Sequence, residues 1–457
     1  MSNSSAKRAR LLRLSPPAAL SALILIGAFR TRSPLVAPDP LSGSVHASLR
    51  HSSLYSVLAP LSNLFDALTL QTIPQFVAMF GFVAVLLLAW RAVRAKRLRR
   101  ETGRNVRIRD ELRFVATMIG AIIALGGLTL LLPRPMAAVK LDDPDLLTID
   151  FHSHTSASHD GRPSFTPDAN REWHRSTGFD VAYISDHFTS AGAVYGERTN
   201  GRTAGEGTVL LSALELRDDD EHVIALGLDP ARTNPDAREW YPLYSHPLAN
   251  TSMGRYAAPA LLILALPGDI RKVPEDEKLG WAPLSAVELS AGSPQGFEQA
   301  TRERAAIIRL ADDMNLAVVA GSDNHGWTHT AGAWSVMRIP HWRAMSPAQL
   351  DAAIRWTIHD KRRMAVGVIA RRTLPPATSR FGLALTAPEL AWEVSTLLTW
   401  PERGSWLFWT WGAWGLVAVR QRRRSFSLAR IQESFPHLSP EQVREAFAGR
   451  QTLPEID

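Results

Sequence analysis

The chain has 457 residues, 46% of them hydrophobic, with 51 Lys and Arg against 44 Asp and Glu, and it has no cysteine. Disulfides, thiolate metal ligands and cysteine nucleophiles are therefore excluded, and any metal site has to be built from His, Asp and Glu. The formal charge of +7 would suit nucleic acid, but most of the excess stands in short runs beside apolar segments, the pattern of a membrane protein, and no nucleic-acid binding is expected.

Residues 1–139 read as a membrane region with three transmembrane helices. Lys7, Arg8, Arg10 and Arg13 precede the apolar run Ala18–Phe29, which places a first span at about 16–30. A cleaved signal peptide is the rival reading, but no small-x-small site follows directly. A polar stretch with a short helix near Leu61–Leu70 leads to a second span at about 74–90, ended by Trp90. The densest basic run of the chain, from Arg91 to Arg113, separates it from a third span at about 114–132, which is uncharged and stops at Pro133. Within 381–457 the tryptophan-rich segment Trp406–Val419, followed by Arg420, Arg422, Arg423 and Arg424, gives a fourth span at about 404–419. The basic loops put the N-terminus, 91–113 and the tail inside. The expectation is a multi-pass integral membrane protein with the lipid bilayer as partner and residues 133–400 outside the cytoplasm.

From Lys140 the pattern changes to short apolar strands alternating with helices, an α/β fold with a mainly parallel sheet. Strands are expected at Leu147–Phe151, Asp180–Ile184, Val209–Leu214, His222–Leu226, Leu261–Leu266, Ala286–Leu289 and Ala317–Ala320. Helices fit Pro167–Ser176, Gln295–Met314 and Ser346–Arg362. Folds of this kind, closed into a barrel or left as an open sheet, collect functional residues at strand C-termini.

The polar residues gather there. The first strand runs into His152-Ser153-His154, and side chains two apart on a strand share a face, so both imidazoles can grip one cation. Asp160 follows on the turn. An H-x-H pair among 14 histidines carries weight only if donors recur at later strand ends. They do: Asp186-His187 ends the second strand, Glu215 the third, His222 follows an acidic turn, and Asp323 and His325 end the last. Each residue has a plain alternative, Asp186 as a helix cap, Glu215 paired with Arg217, His222 as a core histidine. Their recurrence at successive strand ends does not.

The ordered set H-S-H-T-S-A-S-H-D-G, F-D-V-A-Y-I-S-D-H, a strand ending in Glu, and G-S-D-N-H-G resembles the PHP (polymerase and histidinol phosphatase) family over residues 145–365. The resemblance implies a distorted (β/α)7 TIM-like barrel over 140–380 that holds two or three divalent metal ions. His152, His154 and Asp323 would bind one ion. Glu215 would bridge it to a second, which His222 also holds, and Asp160, His187 and His325 would hold a third. His159 could replace Asp160, but Asp160 is followed by Gly161 as in the family. Asp150 and Asp186 would orient ligands.

One position departs from that pattern. The His-Pro pair that follows the bridging Glu in the family falls on Leu266-Pro267, and a His-Pro stands earlier, at His246-Pro247. Either His246 reaches in from a loop or the second ion lacks a ligand. The donor set suits Zn, Mn or Fe. The expected activity is hydrolysis of a phosphomonoester or phosphodiester, on a phosphorylated small molecule or nucleotide, with a metal-bound hydroxide as nucleophile. His246 as general acid and Arg217 or Arg271 beside the phosphoryl oxygens are candidates. The rival function, favoured by Leu266, is a membrane-tethered metal-binding sensor or assembly domain without turnover.

Overall fold

The computed structural model describes residues 3–43, 45–102, 108–187, 189–218, 221–227, 258–266, 270, 284–377 and 379–434. The chain divides into two units, Met1–Arg30 with Leu398–Asp457, and Thr31–Leu397. In the smaller unit, helix Asn3–Ala28, with Pro16 and Pro17 inside it, packs on helix Trp400–Ser434, and Trp411 Nε1 donates to Ser21 Oγ at 3.0 Å.

The larger unit carries twelve strands: β1 (Leu35–Val36), β2 (Ala47–Arg50), β3 (Ala138–Leu141), β4 (Leu146–Ser153), β5 (Val181–Ile184), β6 (Val209–Asp218), β7 (Glu221–Leu226), β8 (Leu261–Leu266), β9 (Ala286–Ser290), β10 (Ala317–Ala320), β11 (Ala333–Arg338) and β12 (Gly367–Arg371). Ten form one sheet, in the order β1-β12-β11-β4-β5-β6-β7-β8-β9-β10. β2 and β3 pair separately, bringing residues before and after the two long apolar helices into one small antiparallel ribbon.

All seven expected strands are present, as β4 to β10, but the sheet is mixed rather than mainly parallel. β6 and β7 pair antiparallel out to Asp218 opposite Glu221, and β8 runs antiparallel to β7. β6 also continues past Glu215 to Asp218, so Glu215 lies within the strand and not at its end. β10 is not the last strand, because β11 and β12 follow it and extend the sheet from the far edge of β4.

The sheet curls. Beyond β10, the Ser322 and Asp323 amides donate to His152 O at 3.1 and 2.8 Å, and Ser153 bridges Asn324 in parallel. Ser335 Oγ accepts from Ala320 N and donates to Ala320 O, tying β10 to β11. One apolar cluster takes side chains from each of β4 to β10, among them Leu147, Tyr183, Leu211, Ile224, Ile263 and Val319, together with Leu350, Ile354 and Ile358 of helix Pro347–Lys361. Burial of this scale supplies the main stabilisation of the barrel-like body.

Among the described residues two helices are long and apolar enough to cross a membrane, Ile73–Lys96 within helix Ile73–Thr102, and Ile108–Leu131. Only 6% of the residues in the most apolar window of each are buried. The other two expected spans do not reach that standard. Around 16–30 the apolar helical stretch is Ser15–Ala28, shorter than a span needs, and around 404–419 helix Trp400–Ser434 offers no window that is apolar enough among the described residues. The basic 91–113 segment is largely helical, since one helix ends at Thr102 and the next starts at Ile108.

Candidate metal centre

β4 delivers His152 and His154 with their Nε2 atoms 3.0 Å apart. Glu215 Oε2, from β6, stands 3.1 Å from the first and 3.0 Å from the second. Asp323 Oδ1, from the turn after β10, is 3.4 Å from both. Donors about 2.0–2.1 Å from a tetrahedral ion would themselves stand roughly 3.3 Å apart. The two histidines have about that spacing from each other and from each carboxylate, and all four side chains are nearly buried. Their chemistry and convergence fit a divalent cation.

Around this core the other expected donors come together. His187 Nε2 is 3.3 Å from Glu215 Oε2 and 3.6 Å from Asp160 Oδ2, and His325 Nε2 is 3.0 Å from Asp160 Oδ2. His154, His187 and His325 are close enough to share an ion. On the other side of Glu215, His222 Nδ1 lies 2.5 Å from Oε1. Glu215 thus faces His152, His154 and His187 with one oxygen and His222 with the other, the arrangement a bridging carboxylate needs. His159 is largely exposed, its Nδ1 3.9 Å from Asp160 Oδ1, and Asp160 is the residue turned toward the cluster.

The electrostatics follow from placing carboxylates and imidazoles together out of water. Burial opposes charge on His152, but Glu215, Asp323 and Glu288 outweigh it and hold its pKa well above the ordinary value. His154 behaves likewise, with burial overcome by Asp323 and Glu215, and is raised to about 9. Burial also works against Glu215 and Asp323 as anions, yet the facing histidines keep both carboxyls below their usual range. For His187 burial prevails and lowers its pKa to about 4.

The local sequence explains how the donors are held. Asp150 Oδ1 accepts from the His152 and Ser322 amides at 3.1 and 2.9 Å, and its Oδ2 lies 2.8 Å from His174 Nε2. Asp186 accepts from Thr155 N and Oγ1 at 2.6 and 2.7 Å, fixing the turn after β4. Ser158 Oγ donates to Asp160 Oδ1 at 2.7 Å. Asp323 has φ 44°, a left-handed conformation uncommon for a non-glycine residue, and its amide bond to His152 O keeps it there.

Sequence reasoning missed Glu288 of β9. Its Oε2 is 3.4 Å from His152 Nδ1, its Oε1 has no hydrogen-bond partner among the described residues, and burial raises its pKa to about 7. The available signal was a lone carboxylate inside the apolar strand Ala286–Ser290. Leu266 is placed opposite His222 by the β7–β8 register, so a leucine holds the cross-strand position beside that histidine. The side chain of Arg217, and His246 and Arg271 altogether, lie outside the described residues.

A cavity of about 550 Å³ opens from the cluster, with Asp160, Asp323 and His325 in its wall.

No family model matches the chain, and no curated relative does. Among solved structures it is similar to PsfC from Pseudomonas syringae, with 13% identity, 54% of this chain and 98% of that one covered, and a TM-score of 0.32. It is similar to a putative metal-dependent phosphoesterase from Bifidobacterium adolescentis at 18% identity, covering 45% of this chain and 96% of that one, TM-score 0.28. A two-domain protein from Bacteroides vulgatus, containing a predicted PHP-like metal-dependent phosphoesterase, matches at 13% identity over 50% of this chain and 65% of that one, TM-score 0.29.

Proposed function

We propose that the Thr31–Leu397 unit is a metal-dependent phosphoesterase of the PHP type, hydrolysing a phosphomonoester or phosphodiester. The observation that supports it is that His152 and His154 stand 3.0 Å apart and that each has Glu215 and Asp323 within 3.0–3.4 Å. These four would hold one ion, and Asp160, His187 and His325, with Glu215 between, would hold another. Zn, Mn or Fe suits such a set. When bound, the ions supply positive charge to the phosphoryl oxygens and make water a nucleophile at neutral pH.

The chain's own residues do the rest. Glu288 accepts the Nδ1 proton of His152 and leaves Nε2 free to bind. Asp150 fixes the backbone of His152 and of Ser322, so the donors from β4 and from the turn after β10 stay in register. His325 and Asp160 line the cavity wall, where a substrate phosphate would enter. The test is turnover by the full chain, stripped with chelator and reloaded with Mn²⁺ or Zn²⁺, on a generic phosphomonoester and phosphodiester. The expected result is metal-dependent hydrolysis that His152→Ala lacks while still folding.

A sensor or assembly role is the second reading, supported by Leu266 opposite His222, which leaves Glu215 and His222 as that corner's donors among the described residues. Metal bound without turnover on either ester would favour it, and Leu266→His would be the variant to make next.

We infer also that the two apolar helices enter the bilayer as a hairpin. β2 precedes the hairpin and β3 follows it, and the two pair with each other, so both ends of the hairpin belong to one body on one side. The basic residues at its tip favour the cytoplasmic face for the tip, which puts the barrel outside. In this cysteine-free chain, Asp360→Cys, at a solvent-exposed site, should react with an impermeant maleimide on intact cells. Reaction only after lysis would reverse the orientation.

A further inference from the structure

The cavity at the metal centre has a second end. Asp160, Asp323 and His325 line one part of it, and Phe76, Leu130 and Phe297 line another. Phe76 belongs to the start of helix Ile73–Thr102, and Leu130 to the end of helix Ile108–Leu131, the two helices apolar enough for a membrane. Ile73, Leu68 and Gly126 continue the same wall. A single space therefore runs from the buried histidine–carboxylate cluster to the base of the apolar hairpin.

The two ends are fixed to one another by buried and partly buried polar contacts. Arg134, just after the second helix, donates to Thr129 O at 2.8 Å and to Thr330 Oγ1 at 2.9 Å, joining the helix end to the loop that follows His325. Thr330 Oγ1 donates to Asp66 Oδ1 at 2.8 Å, and Asp66 Oδ2 pairs with Arg371 of β12 at 2.7 Å. Gln75, one residue before Phe76, donates to Pro375 O at 2.8 Å. An apolar core of Phe65, Leu68, Met79, Leu374 and Leu390 fills the junction below.

We propose that the substrate is an amphiphile, a phosphate ester carrying a long apolar chain. Its phosphate lies at the metal centre, and its chain lies between the hairpin helices and Phe297. This rests on the phosphoesterase reading and names the substrate class for that same site. A small polar phosphate ester makes no use of the apolar half of the cavity, whereas a chain that leaves water for it gains with each methylene. A bilayer would present such a molecule at the level where the hairpin meets the barrel.

Two measurements test this. In the first, 4-nitrophenyl alkyl phosphodiesters with ethyl, butyl, hexyl and octyl arms, all below their micellar concentrations, are offered to the metal-loaded full chain in nanodiscs. Each methylene that enters the groove should raise kcat/KM by up to about fourfold, so the octyl ester should exceed the ethyl ester by more than tenfold. Gly126→Leu puts a side chain where a Cβ would meet no heavy atom within 4 Å, and should cut the octyl-to-ethyl ratio severalfold by filling the groove. Turnover with a flat chain-length profile overturns the inference and leaves the phosphoesterase reading standing.

The second measurement needs no turnover. A dodecyl phosphonate with a terminal diazirine is photolysed on the full chain, and the labelled residues are mapped. Labels on 68–80 or 125–130, displaced by octyl phosphonate but not by methyl phosphonate, support the proposal. Labels elsewhere, or equal displacement by both, overturn it. If no ester is hydrolysed, the labelling still decides the matter, and the phosphoesterase reading fails separately.

Discussion

Glu288 decides how His152 presents itself. A buried imidazole can offer Nε2 to a cation only if Nδ1 keeps the proton, and that proton needs an acceptor. Glu288 Oε2, 3.4 Å away, is the acceptor present. Gly321 makes room for it, since a Cβ there would stand 1.8 Å from Glu288 Oε1 and 2.5 Å from His152 Cβ. Glu288→Gln should keep the fold and weaken metal binding by about 10–100-fold, read by competition with a chromophoric chelator. Unchanged affinity would remove Glu288 from the centre. His152, His154 and Asp323 were legible in the sequence because their motifs are short and polar within apolar surroundings. Glu288 was not, because it stands alone between apolar neighbours and its purpose is set by a strand 136 residues away in the chain.

At the scale of elements, the centre depends on the meeting of β4 with the turn after β10. Asp150 is the main side-chain clamp there, fully buried and accepting from the amides of both segments. Asp150→Ala would remove the acceptor in contact with the His152 amide and with His174 Nε2, while the Ser322 amide keeps His152 O at 3.1 Å, at about 1–3 kcal/mol for each buried group left unsatisfied. A loss of about 3 kcal/mol should lower the melting temperature of the full chain by roughly 3–4 °C. A fall of less than about 1 °C would show that the contact between β4 and the turn after β10 does not depend on this residue. The strands themselves could be read from apolar runs bounded by turns. Their pairing could not, because a periodicity of two is the same in parallel and antiparallel ladders. The β6–β7 pairing and the strands β1, β2, β3, β11 and β12 follow from tertiary contacts that no local pattern carries.

At the scale of the molecule, protons and metal compete for one place. In the metal-free chain His154 has a folded pKa of about 9 and His152 lies well above the ordinary value, after burial is outweighed by their carboxylates. Groups whose pKa is raised on folding stabilise fully below the unfolded value, about 6.5, and lose that contribution as pH rises through the folded value. Glu288, raised to about 7 by burial, acts with the same sign up to that pH. The metal-free protein should therefore lose thermal stability between pH 6.5 and 9. Added Zn²⁺ or Mn²⁺ should reverse the trend, because deprotonated imidazoles bind the ion better as pH rises. Parallel melting curves with and without metal would contradict this competition. The same competition explains why an alternation of His and Asp in sequence was informative about a site and silent about its charge state, which only the buried assembly fixes.

The most direct test of the central claim is the metal content of the purified full chain after exhaustive dialysis, beside His154→Ala and Asp323→Ala. The account expects at least one tightly held divalent ion per chain in the parent protein, and its loss in both variants with the fold retained. A folded parent chain that retains no ion, or variants that hold as much as the parent, would contradict it.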